Sequence, residues 1–150
     1  MGRIIGSVVV GYVTMFVAVF LIFSAAYLLL GTDGSFQAGS WGVSIAWIAV
    51  SILVGIVAAI AGGYVCAAIA KDPRGPLALV VVVVVLGLIL AIPVLTGAYD
   101  DVGVGARPET VGLFEAMQSA RQPIWIAFLN PLLGAVGVMI GAKLKQRSKL

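Results

Sequence analysis

The amino-acid sequence predicts an all-α membrane protein in which four transmembrane helices form an antiparallel bundle. The first observation is a set of four stretches that contain no Asp, Glu, Lys, Arg or His: 4–30, 42–70, 77–97 and 124–142. A bilayer core about 30 Å thick needs roughly 20 apolar residues in a helix, so each stretch is long enough to cross it. The second is a hydrophobic content of 62% with a mean hydropathy of +1.19, far above that of soluble domains. We therefore expect residues 1–150 to form a single transmembrane domain.

The nine basic residues are distributed unevenly between the two sides of such a bundle. Seven of them lie on the side that carries both termini: Arg3, Lys71, Arg74, Lys143, Lys145, Arg147 and Lys149. The positive-inside rule therefore predicts cytoplasmic N- and C-termini in a cell inner membrane. Trp41, Trp47 and Trp125 lie at the predicted outer ends of spans, where amphipathic rings are favoured. Because topology accounts for the net charge of +3, we expect no nucleic-acid partner.

The first two spans are predicted to form a helical hairpin. The first, at 27 residues, would be about 40 Å long and is too long for the apolar region of a signal peptide. It ends in a turn-rich segment, 31–34. The second span carries a small residue at every fourth position: Ser51, Gly55, Ala59, Gly63 and Ala67. This spacing lets another helix approach closely, so we predict a helix-packing face, with a narrow pore as the alternative.

The third and fourth spans differ in their predicted packing. Six consecutive valines, 80–85, lie in a run too long for a strand, and Pro93 is expected to kink the helix. The fourth span continues the small-residue pattern with Gly134, Gly137 and Gly141. Near its middle are Asn130 and Pro131, which we predict to form a polar interior site. The carboxamide is expected to bond to another helix or to repair the proline kink, and the alternative is a contact with a substrate, a water or a quinone.

The loop between the third and fourth spans is long enough to contain a structural element of its own. Pro108 suits the first position of a helix, and Pro123 ends it, so an amphipathic helix is predicted at about 108–121. Its apolar side is a predicted partner surface or a simple seal of the bundle: Val111, Leu113, Phe114 and Met117. The adjacent Asp100 and Asp101 suggest a divalent cation, but no ligand spacing follows them, and a solvated turn is favoured.

The chain offers little for cofactor or catalytic chemistry. It has no histidine and one cysteine, Cys66, so we predict no metal, no cofactor and no enzymatic activity. The basic tail is predicted to contact lipid headgroups: Lys143, Lys145, Arg147 and Lys149. Membrane lipids are therefore the first expected partners.

The run Ala61–Ala68, AGGYVCAA, within this hydropathy profile resembles small bacterial four-span integral membrane proteins without an assigned activity. That resemblance implies the topology and no reaction. The function predicted from the residues is a structural or accessory membrane subunit that packs against other copies, as a homo-oligomer, or against a larger membrane complex. The alternative is a small channel or carrier for a neutral or lipidic solute, without proton coupling because no acid lies in a span.

Overall fold

The computed structural model describes residues 1–97 and 104–148, and within these ranges the chain forms helices and no strand. The five helices are α1 (Gly2–Ser35), α2 (Ile45–Ala70), α3 (Arg74–Leu95), α4 (Leu113–Ser119) and α5 (Ile124–Arg147). Four of them, α1, α2, α3 and α5, are long and apolar enough to cross a membrane. The predictions of an all-helical chain and of a multi-pass membrane protein are confirmed as far as the type, length and apolar character of the helices.

The packing of the four long helices is centred on α2 and α5, which make the most extensive contact. The helix α1 packs against α2, and α3 packs against α5. Gly137 of α5 meets Ala59, and Gly141 meets Ile60 and Tyr64, so α2 and α5 run in the same direction. We call the end with residues 36–44 and 104–123 the loop end, and the opposite end, with residues 1–3, 71–73 and 143–148, the termini end.

The helix boundaries at the loop end differ from the predicted ones. The helix α2 begins at Ile45 rather than at Gly42, because Phe36 and Val43 form an antiparallel bridge and hold the intervening chain in a turn. The Ser44 hydroxyl then accepts a hydrogen bond from the Trp47 amide at 3.0 Å and caps the helix. Gly31, with φ of 65°, interrupts α1 directly after the predicted end of the first span, and helical turns resume as far as Ser35.

The predicted amphipathic helix at 108–121 is wrong in its extent, since α4 covers only Leu113–Ser119. The reason is the buried side chain of Arg107, whose Nη1 donates hydrogen bonds to the carbonyls of Pro108 at 2.8 Å and Glu109 at 3.4 Å. The Val111 amide donates to the Thr32 hydroxyl at 3.3 Å. The hydrogen bonds of residues 107–111 are therefore made by the Arg107 side chain and by Thr32, and not by the backbone pattern of a helix.

At the termini end, α3 begins three residues before the predicted Leu77 and α5 continues five residues beyond Ala142. The Asp72 carboxylate accepts a hydrogen bond from the Arg74 amide at 2.8 Å and thereby satisfies one of the free donors at the start of α3. Arg74 and Lys143, which lie outside the predicted spans, are therefore part of the helices.

Replacing Lys71 with Gly is expected to stabilise the protein by about 1 kcal/mol. Lys71 ends α2 with φ of 53° and ψ of 19°, a left-handed conformation that strains residues with a β-carbon. Thermal denaturation of the purified protein checks this. The control is Lys71→Ala, which keeps the β-carbon and also removes the charge, and it should give no gain.

Candidate functional site

A groove of about 860 Å³ lies between α1, α3 and α5 and extends to the loop end. This volume is at the upper end of the roughly 300–1,000 Å³ typical of small-molecule pockets. Its walls are mostly apolar, and the exposed rings and chains of Phe16 and Leu90 belong to them. The groove is therefore a candidate ligand-binding site by its size and lining.

The groove exists because α1 and α3 touch near the termini end and separate towards the loop end. A β-carbon on Gly11 would lie 3.0 Å from Leu79 Cδ2, and one on Gly75 would lie 3.1 Å from Ser7 Oγ. Small residues thus allow close approach of α1 and α3 there. Further along, the wall residues are large, including Met15 on α1.

The groove is about as deep as one leaflet of a bilayer. Along α3 its lining runs from Val83 to Val94, which at 1.5 Å per residue is about 16 Å. Half of a hydrocarbon core about 30 Å thick is about 15 Å. Along the axis of α3, the groove therefore has the length of one leaflet and lies in the half of the helix nearer the loop end.

Asn130 lies in the groove, on the first third of α5, and its side chain is exposed there. It makes no hydrogen bond to any residue that the structure describes. Its neighbour Pro131 is buried against Gly87 of α3, where a β-carbon would lie 2.5 Å from the proline ring. Pro131 also has no N–H to donate to the carbonyl of Ala127, another residue that lines the groove.

The mouth of the groove is formed by residues 117–123 and is anchored to the turn between α1 and α2. The Arg121 amide donates to the Trp41 carbonyl at 2.9 Å, and the Val43 amide donates to the Arg121 carbonyl at 3.1 Å. Gln118 and Gln122 also line the mouth. Two backbone hydrogen bonds therefore fix the position of the segment that covers the groove.

Behind the mouth, the loop end has a hydrophobic cluster of its own, which we call the cap. Its buried members are Tyr27, Phe36, Trp41, Val43, Val111 and Ala116. The Tyr27 hydroxyl donates to the Val111 carbonyl at 2.7 Å, and the rings of Phe36 and Trp41 meet edge to face at 5.8 Å. The cap links α1 to the loop before α4 and supports the groove mouth.

Arg107 is a buried member of the loop end that the sequence reasoning did not single out. Its Nη2 donates to Asp33 at 3.2 Å, and its guanidinium lies 5.6 Å from the centre of the Phe36 ring. Its Nε has no partner among the described residues. No local pattern in the sequence distinguishes this arginine from an exposed loop cation.

The residues predicted for helix packing lie mainly between α2 and α5. A β-carbon on Gly63 would overlap the Val138 backbone, and one on Gly137 would lie 2.5 Å from Ala59 Cβ. Gly134 faces Val83 of α3 instead, and a β-carbon on Gly55 would meet no atom within 4 Å. Ser51 and Ala67 are buried.

The predicted outer surface divides into two parts. Val111 is buried in the cap and Leu113 packs against it, whereas Phe114 and Met117 are 70% and 53% exposed. In the basic tail, Lys143 and Arg147 are exposed, and Lys145 Nζ lies 5.2 Å from the centre of the Tyr64 ring. The predictions made for Asp100, Asp101 and Lys149 lie outside the described residues.

Within the described ranges, no group of three or more His, Cys, Asp or Glu side chains is placed to hold a metal ion. No protein-family model, curated protein or solved structure matches the chain.

Proposed function

We propose that this chain is a four-span inner-membrane protein that binds one neutral, lipid-like molecule in the groove between α1, α3 and α5. The observation that carries the proposal is the side chain of Asn130, which is exposed in the groove and bonded to no described residue. An amide without a partner in an apolar environment costs several kcal/mol, about 4–8 on a water-to-hydrocarbon scale. A ligand with a hydrogen-bonding group at this depth removes that cost.

The proposed orientation has consecutive spans antiparallel in a four-helix bundle, with both termini in the cytoplasm. Its support is the charge of the termini end, where six described cations, Arg3 and Lys71 among them, accompany one acid, Asp72. Basic residues are retained on the cytoplasmic side of inner membranes. In this orientation the groove opens from the outer leaflet.

The lining of the groove supports a neutral ligand rather than an ion. Among its described residues only Arg121, at the mouth, carries a charge, and Asn130 both donates and accepts hydrogen bonds. No acid lies in the four charge-free stretches, so proton coupling, which uses embedded carboxylates, has no candidate residue there. Binding, or uncoupled movement of a lipidic solute, fits this chemistry.

The test is the lipid content of the protein purified in mild detergent from its native membranes. We expect about one lipid-like molecule per chain in the solvent extract of the wild type, measured by mass spectrometry. Asn130→Leu removes the amide with little change of volume and should reduce the retained molecule roughly tenfold, which corresponds to one hydrogen bond in a membrane. Ala127→Trp places an indole ring in the groove one turn from Asn130 and should abolish retention.

The matched control is Thr14→Val, which removes a polar group from α1 outside the lining of the groove. The Thr14 hydroxyl donates to the Val10 carbonyl at 2.8 Å within the same helix. This variant should retain the molecule as the wild type does. Equal retention by wild type, Asn130→Leu and Ala127→Trp would overturn the proposal, as would a wild-type extract without a stoichiometric component.

The second candidate is the structural or accessory subunit, which packs against other copies or a larger complex. Its support is the exposure of Phe114 and Met117 on α4, beside the groove mouth, where a partner would cover them. The small-residue faces of α2 and α5 give it less support, since Gly63, Gly137 and Gly141 meet neighbours within the same chain. A particle larger than one chain in the same preparation would favour this function, and a monomer would count against it.

A further inference from the structure

A second apolar depression, of about 320 Å³, lies on the surface of α5 towards the termini end. Its lining consists of Ala135, Val136, Met139, Ile140 and Lys143. All five belong to one helix, and Val136, Met139 and Ile140 are exposed. The depression is separate from the groove and shares no lining residue with it.

Two basic residues near the end of α5 lie on the same face of the helix as the depression. Val136, Ile140, Lys143 and Arg147 are spaced by four, three and four residues, so they lie on one face of the helix. Lys143 and Arg147 are exposed. The face is thus apolar over about one turn and positively charged over about the next one.

Lys145 lies on a different side of α5. Its ammonium is 5.2 Å from the centre of the Tyr64 ring on α2, an arrangement in which the ring face attracts the cation. Equal charge changes at positions 143 and 145 therefore affect two different surfaces of the same helix.

We propose that the depression binds one acyl chain of an anionic phospholipid, with the lipid phosphate bound by Lys143 and Arg147. The charge of the termini end supports an anionic partner, since Asp72 is its one acid against six described cations. The order of the face, apolar and then basic, matches the order of a lipid from acyl chain to headgroup. Lysine and arginine side chains at helix ends extend along the apolar surface and place their charged groups at the level of the lipid headgroups.

The test is native mass spectrometry of the full chain in detergent, titrated with phosphatidylglycerol or with phosphatidylcholine of the same acyl chains. The wild type should bind phosphatidylglycerol more tightly. Lys143→Gln or Arg147→Gln should weaken this binding about fivefold each, and the double variant about thirtyfold, without a change for phosphatidylcholine. Val136→Trp narrows the depression, leaves every charge in place and should also weaken binding of phosphatidylglycerol.

Lys145→Gln is the matched control, because it removes the same charge two residues away. Binding of phosphatidylglycerol by this variant should stay within about twofold of the wild type. A loss equal to that of Lys143→Gln would overturn the proposal, because it would show a diffuse attraction to the whole tail. Equal binding of both lipids by the wild type, or unchanged binding by Val136→Trp, would overturn it as well.

Discussion

Substituting Gly63 by Ala is expected to destabilise the protein by about 1–3 kcal/mol, because the added β-carbon would overlap the backbone of Val138. The obstacle is main chain rather than a movable side chain, so α5 must shift away from α2. That shift would loosen the most extensive helix contact of the structure. Helices in lipid associate through close packing of this kind, since lipid tails are as apolar as the side chains.

The measurement is thermal unfolding in detergent, monitored through the reaction of Cys66 with a thiol-specific dye. Cys66 is the single cysteine of the chain and is fully buried, so its reactivity reports opening of the helices. Gly55→Ala is the control on the same helix, because a β-carbon there would meet no atom within 4 Å. It should be neutral or stabilise by up to about 1 kcal/mol, since Ala favours helix. An unfolding temperature for Gly63→Ala at or above that of the wild type would contradict the packing described here.

The four spans could be predicted from sequence because their cause is local. A helix that crosses lipid must satisfy its own backbone and carry apolar side chains, and both requirements appear as an uninterrupted apolar run. The run of valines at 80–85 is helical for this reason, although β-branched residues favour strands in water. At the termini end, α3 and α5 are longer than the predicted spans, since charged residues such as Lys143 lie on a helix and still reach water.

The loop end could not be predicted in the same way because its structure depends on distant contacts. Gly42 forms a bridge with Arg121, and Tyr27 bonds to Val111, 84 residues away in sequence. These contacts delay the start of the second helix to Ile45 and hold residues 107–111 in a non-helical conformation. Ser44, a good N-cap residue, was the one local signal of the true start of α2.

The candidate site was predicted in part. Asn130 and Pro131 were recognised because a carboxamide and a proline are rare within an apolar run. The groove itself depends on where α1 and α3 separate, and the hydrophobic pattern of the sequence does not predict this position. The two helices touch at Gly11 and Gly75. The sequence shows these glycines, but it does not show which residue each of them contacts.

Replacing Trp41 with Ala is expected to unfold the cap while the four long helices remain. Trp41 is 7% exposed, packs edge to face against Phe36, and holds the groove mouth through its carbonyl and the Arg121 amide. Loss of a buried aromatic side chain costs about 3–5 kcal/mol. The cap is one small cluster at the loop end, so we expect this cost to exceed its local stability.

Amide hydrogen exchange by mass spectrometry distinguishes local from global unfolding. In Trp41→Ala, exchange should accelerate by at least tenfold in residues 36–44 and 104–121 and stay unchanged in α2 and α5. The control is Trp125→Ala, which removes the same ring from a position that is 52% exposed and should leave exchange in the cap as in the wild type. Acceleration in α2 and α5 as well would show that the cap and the long helices unfold together. In the expected case the mouth of the groove opens without loss of the spans, so Trp41→Ala should also release the molecule that Asn130 is proposed to bind.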